Sequence, residues 1–251
     1  MMKPLLYLSA LLVSPLITPT VSAQAAPTTA DKAKSGHSAI IPADRLSSVW
    51  WRKRHEQKVA SAQNAECELL FIGDSITHGW EGQGKKIWAQ YYAPRKAFNI
   101  GFSGDRTQHV LWRFDHGELA AFQPKVAVIM IGTNNTGHSM QKAEETAEGI
   151  KAIISKLHAH SPKTKVLLLG VFPRGAKAND PKRVLNDQIN AIIKGYDNGK
   201  TVHYLDISGA FLDDDGTLPK SVMPDLLHPK AHGYQLWADA MEPKLKKLLG
   251  E

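Results

Sequence analysis

Apolar residues along the chain fall into two kinds of run. Residues 69–72, 97–100, 126–131, 166–169 and 202–207 are short and mostly apolar, and several carry no polar alternation. A run of this kind fits a strand buried on both faces, as in a parallel sheet. Between them lie longer stretches with apolar positions three and four apart, at 85–92, 107–122, 139–158, 181–196 and 229–249. The stretch 107–122 carries Val110, Leu111, Phe114 and Leu119 and is closed by Pro124; 139–158 carries Ile150, Ile153, Ile154 and Leu157. In the last stretch Leu236, Trp237, Ala240, Leu245 and Leu248 are expected to face inward. These stretches read as helices. Strand and helix alternate at crossover spacing, which predicts a three-layer α/β/α sandwich around a five-stranded parallel sheet, flavodoxin-like in arrangement. A further helix is expected over 44–65, with Leu46, Val49, Trp50 and Val59 apolar and Trp50 or Trp51 inserted as an anchor.

The first 23 residues differ from the rest. A charged start at Lys3, an apolar run with Pro4, Pro15 and Pro19, and the small-residue exit Ala23-Gln24-Ala25 fit a cleaved secretory signal peptide. Cleavage after Ala23 and after Ala25 both suit the pattern, and the protein is expected to be exported, either periplasmic or secreted. Residues 24–43 are rich in Ala, Thr, Pro, Ser and Lys and read as a flexible lead-in to a single domain over 44–251. The formal net charge of +7 is scattered, without a block of five like charges, which argues against nucleic acid as a partner. Cys67 is the single cysteine, so no internal disulfide is available. Asp213-Asp214-Asp215-Gly216 lacks the later Glu of a calcium loop and reads as a polar turn. His228 and His232 are four apart, but Pro229 between them argues against a metal site.

Candidate chemistry gathers where strands end. Leu69–Ile72 runs into Gly73-Asp74-Ser75, placing Ser75 at the C-terminal edge of the sheet, where open α/β folds keep their active sites. A serine hydroxyl needs a general base to act as a nucleophile. Pro224-Asp225-Leu226-Leu227-His228-Pro229 supplies one in His228, with Asp225 to orient the imidazole. Acyl transfer also needs donors for the developing oxyanion. The Ser75 and Gly104 backbone N–H groups and the Asn134 side-chain amide are the candidates. Asp74 is expected to shape the turn that carries Ser75. Trp80, near the nucleophile, suits either the substrate site or packing.

Gly73-Asp74-Ser75, Gly104, Asn134 and His228 stand in the order of the four sequence blocks of the SGNH hydrolases, the GDSL-type esterases. The stretch 99–113 (NIGFSGDRTQHVLWR), together with Gly117-Glu118-Leu119, Pro124-Lys125-Val126 and Gly132-Thr133-Asn134-Asn135, resembles the catalytic subunits of intracellular platelet-activating factor acetylhydrolase. The resemblance implies a Ser75/His228/Asp225 triad, a Ser75/Gly104/Asn134 oxyanion hole, and no metal or organic cofactor. Many relatives carry Asp where this chain has Asn135, although the acetylhydrolase branch also has Asn there. That branch is cytoplasmic, whereas this chain begins with an export signal.

The expected function is an exported serine esterase releasing a small acyl group, acetyl above all, from an O-acetylated carbohydrate. A short-chain phospholipid or lysophospholipid ester is the alternative substrate, and a non-catalytic glycan-binding module the alternative of another class. No integral membrane segment is expected after signal cleavage. The oligomeric state is unreadable, with a homodimer among the open arrangements.

Overall fold

The computed structural model describes Met1 and residues 36–251. The expected signal peptide and the lead-in up to residue 35 lie outside the described residues. Gly36–Glu251 is one compact unit. Its ordered packing begins before residue 44: a short 3-10 turn at Ser38–Ile40 buries Ala39, whose carbonyl accepts the Thr107 hydroxyl at 2.8 Å. The expected flexible lead-in therefore does not extend to residue 43.

Helix α1 (Val49–Ala62) leads into strand β1 (Leu69–Gly73), the single-turn helix α2 (Ser75–His78) and helix α3 (Lys85–Tyr91). Strand β2 (Ala97–Gly101) and helix α4 (Thr107–Asp115) follow, then β3 (Val126–Met130), α5 (Thr133–Ser139) and α6 (Ala143–His160). The chain closes with β4 (Lys165–Leu169), α7 (Pro181–Ile193), β5 (Val202–Leu205) and α8 (Ala231–Leu249). The five strands form one sheet in the order β2-β1-β3-β4-β5, every neighbouring pair parallel.

The apolar runs lack alternation because each strand feeds two cores. Leu70 and Ile72 pack with Val110, Ile150 and Ile189 on one face. Leu69 and Phe71 pack with Trp80, Tyr234 and Trp237 on the other. Successive strand side chains point to opposite faces, so both sets must be apolar when helices cover both sides. Trp80 is fully buried against Phe71, Tyr92, Tyr234 and Trp237, which settles it as a packing residue.

Four helices depart from the pattern read in the sequence. The expected apolar face of α1 is only partly the buried one: Trp50 is 44% exposed, Val49 and Leu46 are exposed and Val59 is half-buried, while Trp51, one of the two expected anchors, is fully buried on a face shared with His55 and Ala62. The buried face is chosen by a polar contact, since the Trp51 indole N–H donates to the buried Asp105 carboxyl at 2.7 Å. Hydropathy spacing does not carry that information. Helix α4 stops at Asp115 and not near 122, because Gly117 turns the chain at φ +91° and brings buried Glu118 back onto buried Arg113. The expected helix over 139–158 is α6, which starts later, at Ala143, and a separate helix precedes it. That helix, α5, starts at Thr133 and ends where Met140 enters the left-handed region at φ +46°. Helix α8 begins after Pro229 and buries Tyr234, Trp237, Ala238, Met241, Leu245 and Leu248, while Leu236 and Ala240 are only half-buried.

Candidate active site

The sheet order reverses at β1: the segments that follow β1, with Trp80 and Ile87, cover one face of the sheet, whereas the helices after β2 and β3, with Val110 and Ile150, cover the other. Ligand crevices form at such switch points, beyond the carboxyl ends of the strands. Ser75 follows β1, Gly104 follows β2 and Asn134 follows β3, so parallel pairing brings three sequence-distant loops to one edge. The β1-to-α2 turn is tight: a Cβ on Gly73 would run into the Thr77 side chain and the Met130 carbonyl. Asp74 caps α2 by accepting the Ile76 N–H at 3.0 Å, the turn-shaping role expected of it. Its carboxyl is wholly buried, and burial pushes its pKa up to about 7. Tyr234 fixes the same turn from α8, its hydroxyl donating to the Ile76 carbonyl at 2.6 Å.

The long connection from β5 to α8 returns to this edge and carries the other two groups. Ser75 Oγ lies 2.8 Å from His228 Nε2, and His228 Nδ1 lies 2.6 Å from Asp225 Oδ2. The second carboxylate oxygen of Asp225 accepts the backbone N–H groups of Leu227 at 3.1 Å and His228 at 2.7 Å. Partial burial pushes the Asp225 pKa up, but the hydrogen bonds and charge of His228 outweigh it and hold the carboxyl below its ordinary range. One carboxylate thus folds the loop and holds the ring. Between them Leu226 is in the left-handed region at φ +58°, unusual for a branched side chain, and its carbonyl is held by the Gly175 N–H at 2.9 Å. His232 is the second residue of α8 and takes no part in this chain of contacts.

On the opposite side, Gly104 has φ +77°, a conformation that glycine adopts without strain. Among the described residues neither its N–H nor that of Ser75 is engaged by a hydrogen-bond acceptor. Asn134, 6% exposed, lies in the first turn of α5, and its Nδ2 donates to the Asp105 carbonyl at 2.9 Å. An amide nitrogen carries two N–H groups, so one bond orients the side chain while the other remains available. Asn135 faces away, donating to Gln141 at 2.8 Å and accepting the Thr107 N–H at 3.1 Å. It ties α5 to α4.

Every site residue expected from the sequence is therefore at this edge. A hydroxyl, an imidazole and a carboxylate in a row can pass a proton away from the hydroxyl, and donors on the far side can take up negative charge. A shallow cavity of about 390 Å³ opens beside the serine, lined by Ser75, His78, Gly79, Glu81, Gly82 and Ser103. His78 Nδ1 is 2.9 Å from the Ser103 hydroxyl, and burial, followed by the nearby Arg54 cation, lowers the His78 pKa. Burial opposes ionisation of Glu81, but hydrogen bonds from Arg54 and Lys58 prevail and bring its pKa down to about 2.

Several contributors were not singled out in the sequence. Arg45 donates to the Ser103 carbonyl at 2.7 Å and to Asp105 at 3.1 Å, and Arg174 donates to the Thr133 carbonyl at 2.8 Å beside Asn134. Nothing in their local sequence marks them. The Asp that follows Gly104 is the one legible signal for this layer. Cys67 is half-buried and remote from these groups, and burial pushes its thiol up to about 12, consistent with an inert structural thiol. Asp213, Asp214 and Asp215 form an exposed turn closed by the Asp213 and Thr217 backbones.

Residues 71–236 match the GDSL-like Lipase/Acylhydrolase family. The chain is 38% identical over 205 residues to human platelet-activating factor acetylhydrolase IB subunit alpha1, covering 80% of this chain and 85% of that protein. It is 37% identical over 202 residues to the alpha2 subunit from Rattus norvegicus, covering 80% and 86%. In three dimensions it resembles a GDSL-like lipase from Bacteroides thetaiotaomicron, with a TM-score of 0.62, 22% identity and coverage of 78% and 97%. An acetylxylan esterase from Geobacillus stearothermophilus matches with a TM-score of 0.57 at 20% identity, over 76% and 97%. The family match spans the strand ends that carry Ser75, Gly104 and Asn134 and the loop that carries Asp225 and His228. This chain belongs to the GDSL-like lipase/acylhydrolase family and is a carboxylic ester hydrolase.

Proposed function

We propose that the protein hydrolyses small carboxylic esters, acetyl esters above all, through an acyl-enzyme formed on Ser75. The continuous chain Ser75 Oγ–His228 Nε2–Asp225 carries this reading. Ser75 Oγ attacks the ester carbonyl while His228 Nε2 accepts its proton, and Asp225 holds the Nδ1–H and offsets the charge on the imidazolium. The oxyanion receives the Ser75 N–H, the Gly104 N–H and the second Asn134 N–H. His228 then protonates the departing alcohol. Water, deprotonated by the same imidazole, attacks the acyl carbon and restores Ser75. Labelling by a serine-directed organophosphate with turnover of p-nitrophenyl acetate tests the reading; no labelling of Ser75 and no turnover would overturn it. That second result would favour a glycan-binding module without catalysis.

For the substrate we propose an O-acetylated carbohydrate. The cavity beside Ser75 is small and shallow, with the hydrogen-bonding side chains of His78, Glu81 and Ser103 in its lining, and the exposed Trp50 beside His78, with ring centroids 5.6 Å apart, offers an aromatic face near its rim. A short-chain phospholipid ester is the second reading, favoured by the identity to relatives named as platelet-activating factor acetylhydrolase subunits. Acetate release from acetylated xylose or sialic acid, set against release from an acetyl phospholipid, decides between them. Faster turnover of the phospholipid would overturn the carbohydrate proposal.

We further propose that the chain is exported, on the charged start, apolar run and small-residue exit of residues 1–25. Mass spectrometry of the mature N-terminus should find Gln24 or Ala26 first; an intact N-terminus in the cytoplasmic fraction would refute export.

A further inference from the structure

The two oxyanion donors outside the serine turn come from different strands, Gly104 after β2 and Asn134 after β3. One residue joins them. Asp105 shares a peptide unit with Gly104, and its own carbonyl takes the orienting Asn134 N–H at 2.9 Å. Its carboxyl is fully buried and receives three donors, from α1, α4 and the segment that precedes α1. These are Trp51 Nε1 at 2.7 Å, Arg113 Nε at 2.9 Å and Arg45 Nη1 at 3.1 Å. Arg113 is itself fully buried, paired with Glu118 and lying over the Phe102 ring at 3.9 Å. Arg45 straddles the glycine: the same Nη1 donates to the Ser103 carbonyl at 2.7 Å, and a Cβ on Gly104 would lie 3.1 Å from both terminal nitrogens. The residues on both sides of Gly104 are thus held by one guanidinium.

We propose that Asp105 and Arg45 are positioning residues that lock the Gly104 and Asn134 donors into one rigid unit, with Trp51 anchoring that unit to α1. The inference rests on the oxyanion roles proposed above. Donors stabilise a transition state only if they already point at the place where charge develops, so a loop free to rotate its peptide planes would lose that advantage. Gly104 is conformationally permissive and needs external restraint. Arg45 supplies it from a segment outside the family match, which begins at residue 71. The N-terminal segment is therefore part of the catalytic apparatus and not only a cap on the fold. The same contacts explain why α1 buries Trp51 in place of Trp50.

The test compares the wild type with Arg45→Met, Arg45→Lys and Trp51→Phe on p-nitrophenyl acetate, below each variant's thermal midpoint. Arg45→Met should lower kcat by about 10- to 100-fold with KM within about twofold, the range expected when reacting groups are misplaced by about an ångström. Arg45→Lys should recover part of kcat, because an ammonium reaches one carbonyl but does not reproduce the planar fork. Trp51→Phe keeps an aromatic ring but removes the indole N–H together with the pyrrole ring, and should lower kcat by a smaller factor. Combined with Asn134→Ala, Arg45→Met should cause a further loss smaller than its own single effect, since the two act on shared geometry. Wild-type kcat in Arg45→Met, a loss confined to KM, or losses that multiply would each overturn the inference. These failures leave the wild type active and labelled at Ser75, whereas failure of the esterase reading removes activity and labelling from the wild type itself.

Discussion

On one side of Ser75 stand Gly104 and Asn134, carried by the ends of two strands that flank β1 in the sheet. On the other stand Asp225 and His228, carried by a loop. The first side is embedded: Asn134 is 6% exposed and Asp105 behind it is fully buried. The second is open, with the His228 and Asp225 side chains 42% and 56% exposed. Groups that stabilise charge without moving gain from burial, where hydrogen bonds are stronger and water cannot reorganise around them. A base that must exchange protons with water gains from contact with solvent. The loop compensates for exposure locally, with Asp225 accepting two backbone N–H groups and the imidazole at once.

The largest effect should come from the centre, which both sides share. Ser75→Ala and His228→Ala should each lower kcat by about 10⁴-fold or more, measured by acetate release. If either variant kept even a tenth of wild-type turnover, the division into two sides would lose its middle. Asp225→Asn should fall short of the roughly 10⁴-fold loss seen for a buried triad Asp, because solvent reaches the imidazole here. Asn134→Ala should lose about 10²–10³-fold from its donated hydrogen bond. A wild-type rate in Asn134→Ala would remove the embedded side's role.

A third effect appears in stability. Burial raises the Asp74 carboxyl to about 7, against an ordinary value of 3.8. The folded protein then holds a proton there that the unfolded chain releases. The resulting stabilisation is complete below about pH 4 and is lost as pH rises through about 7. Asp74→Asn keeps the acceptor for the Ile76 N–H and removes this titration. Denaturant midpoints of wild type minus variant should therefore decline from pH 4 to pH 8, and a constant difference would contradict the assignment. The smallest effect is expected at the loop. Leu226→Gly relieves a left-handed conformation worth about 1 kcal/mol but loosens the chain around Asp225. Stability should change by less than about 1 kcal/mol and kcat by less than about tenfold. A larger kcat loss would show that the open side depends on backbone rigidity as much as the buried one.

The site was legible because its residues sit where strong local patterns end. Four of the five strands match the expected runs within one residue at each end, and β5 stops two residues early. Once the strands are parallel, Ser75, Gly104 and the loop before Asn134 must emerge at one edge. Asn134 lies just beyond the strand end, as expected, but the helix that carries it was not read, because Gly132-Thr133-Asn134-Asn135 gives no apolar periodicity by which to read so short an element. His228 and Asp225 were legible by spacing and family order, but not the backbone bonds by which Asp225 shapes its own turn.

By itself the sequence determined the alternation of buried strands and covering helices, and with it the sheet edge at which the serine emerges. Hydrophobic period and chain order are local properties, and they suffice for that. Only the tertiary structure decided which face of α1 is buried, where Arg45 reaches, and how Asp105 ties two strand ends together. Those outcomes depend on single polar contacts between residues tens of positions apart, for which a one-dimensional pattern of apolar and polar residues has no signal.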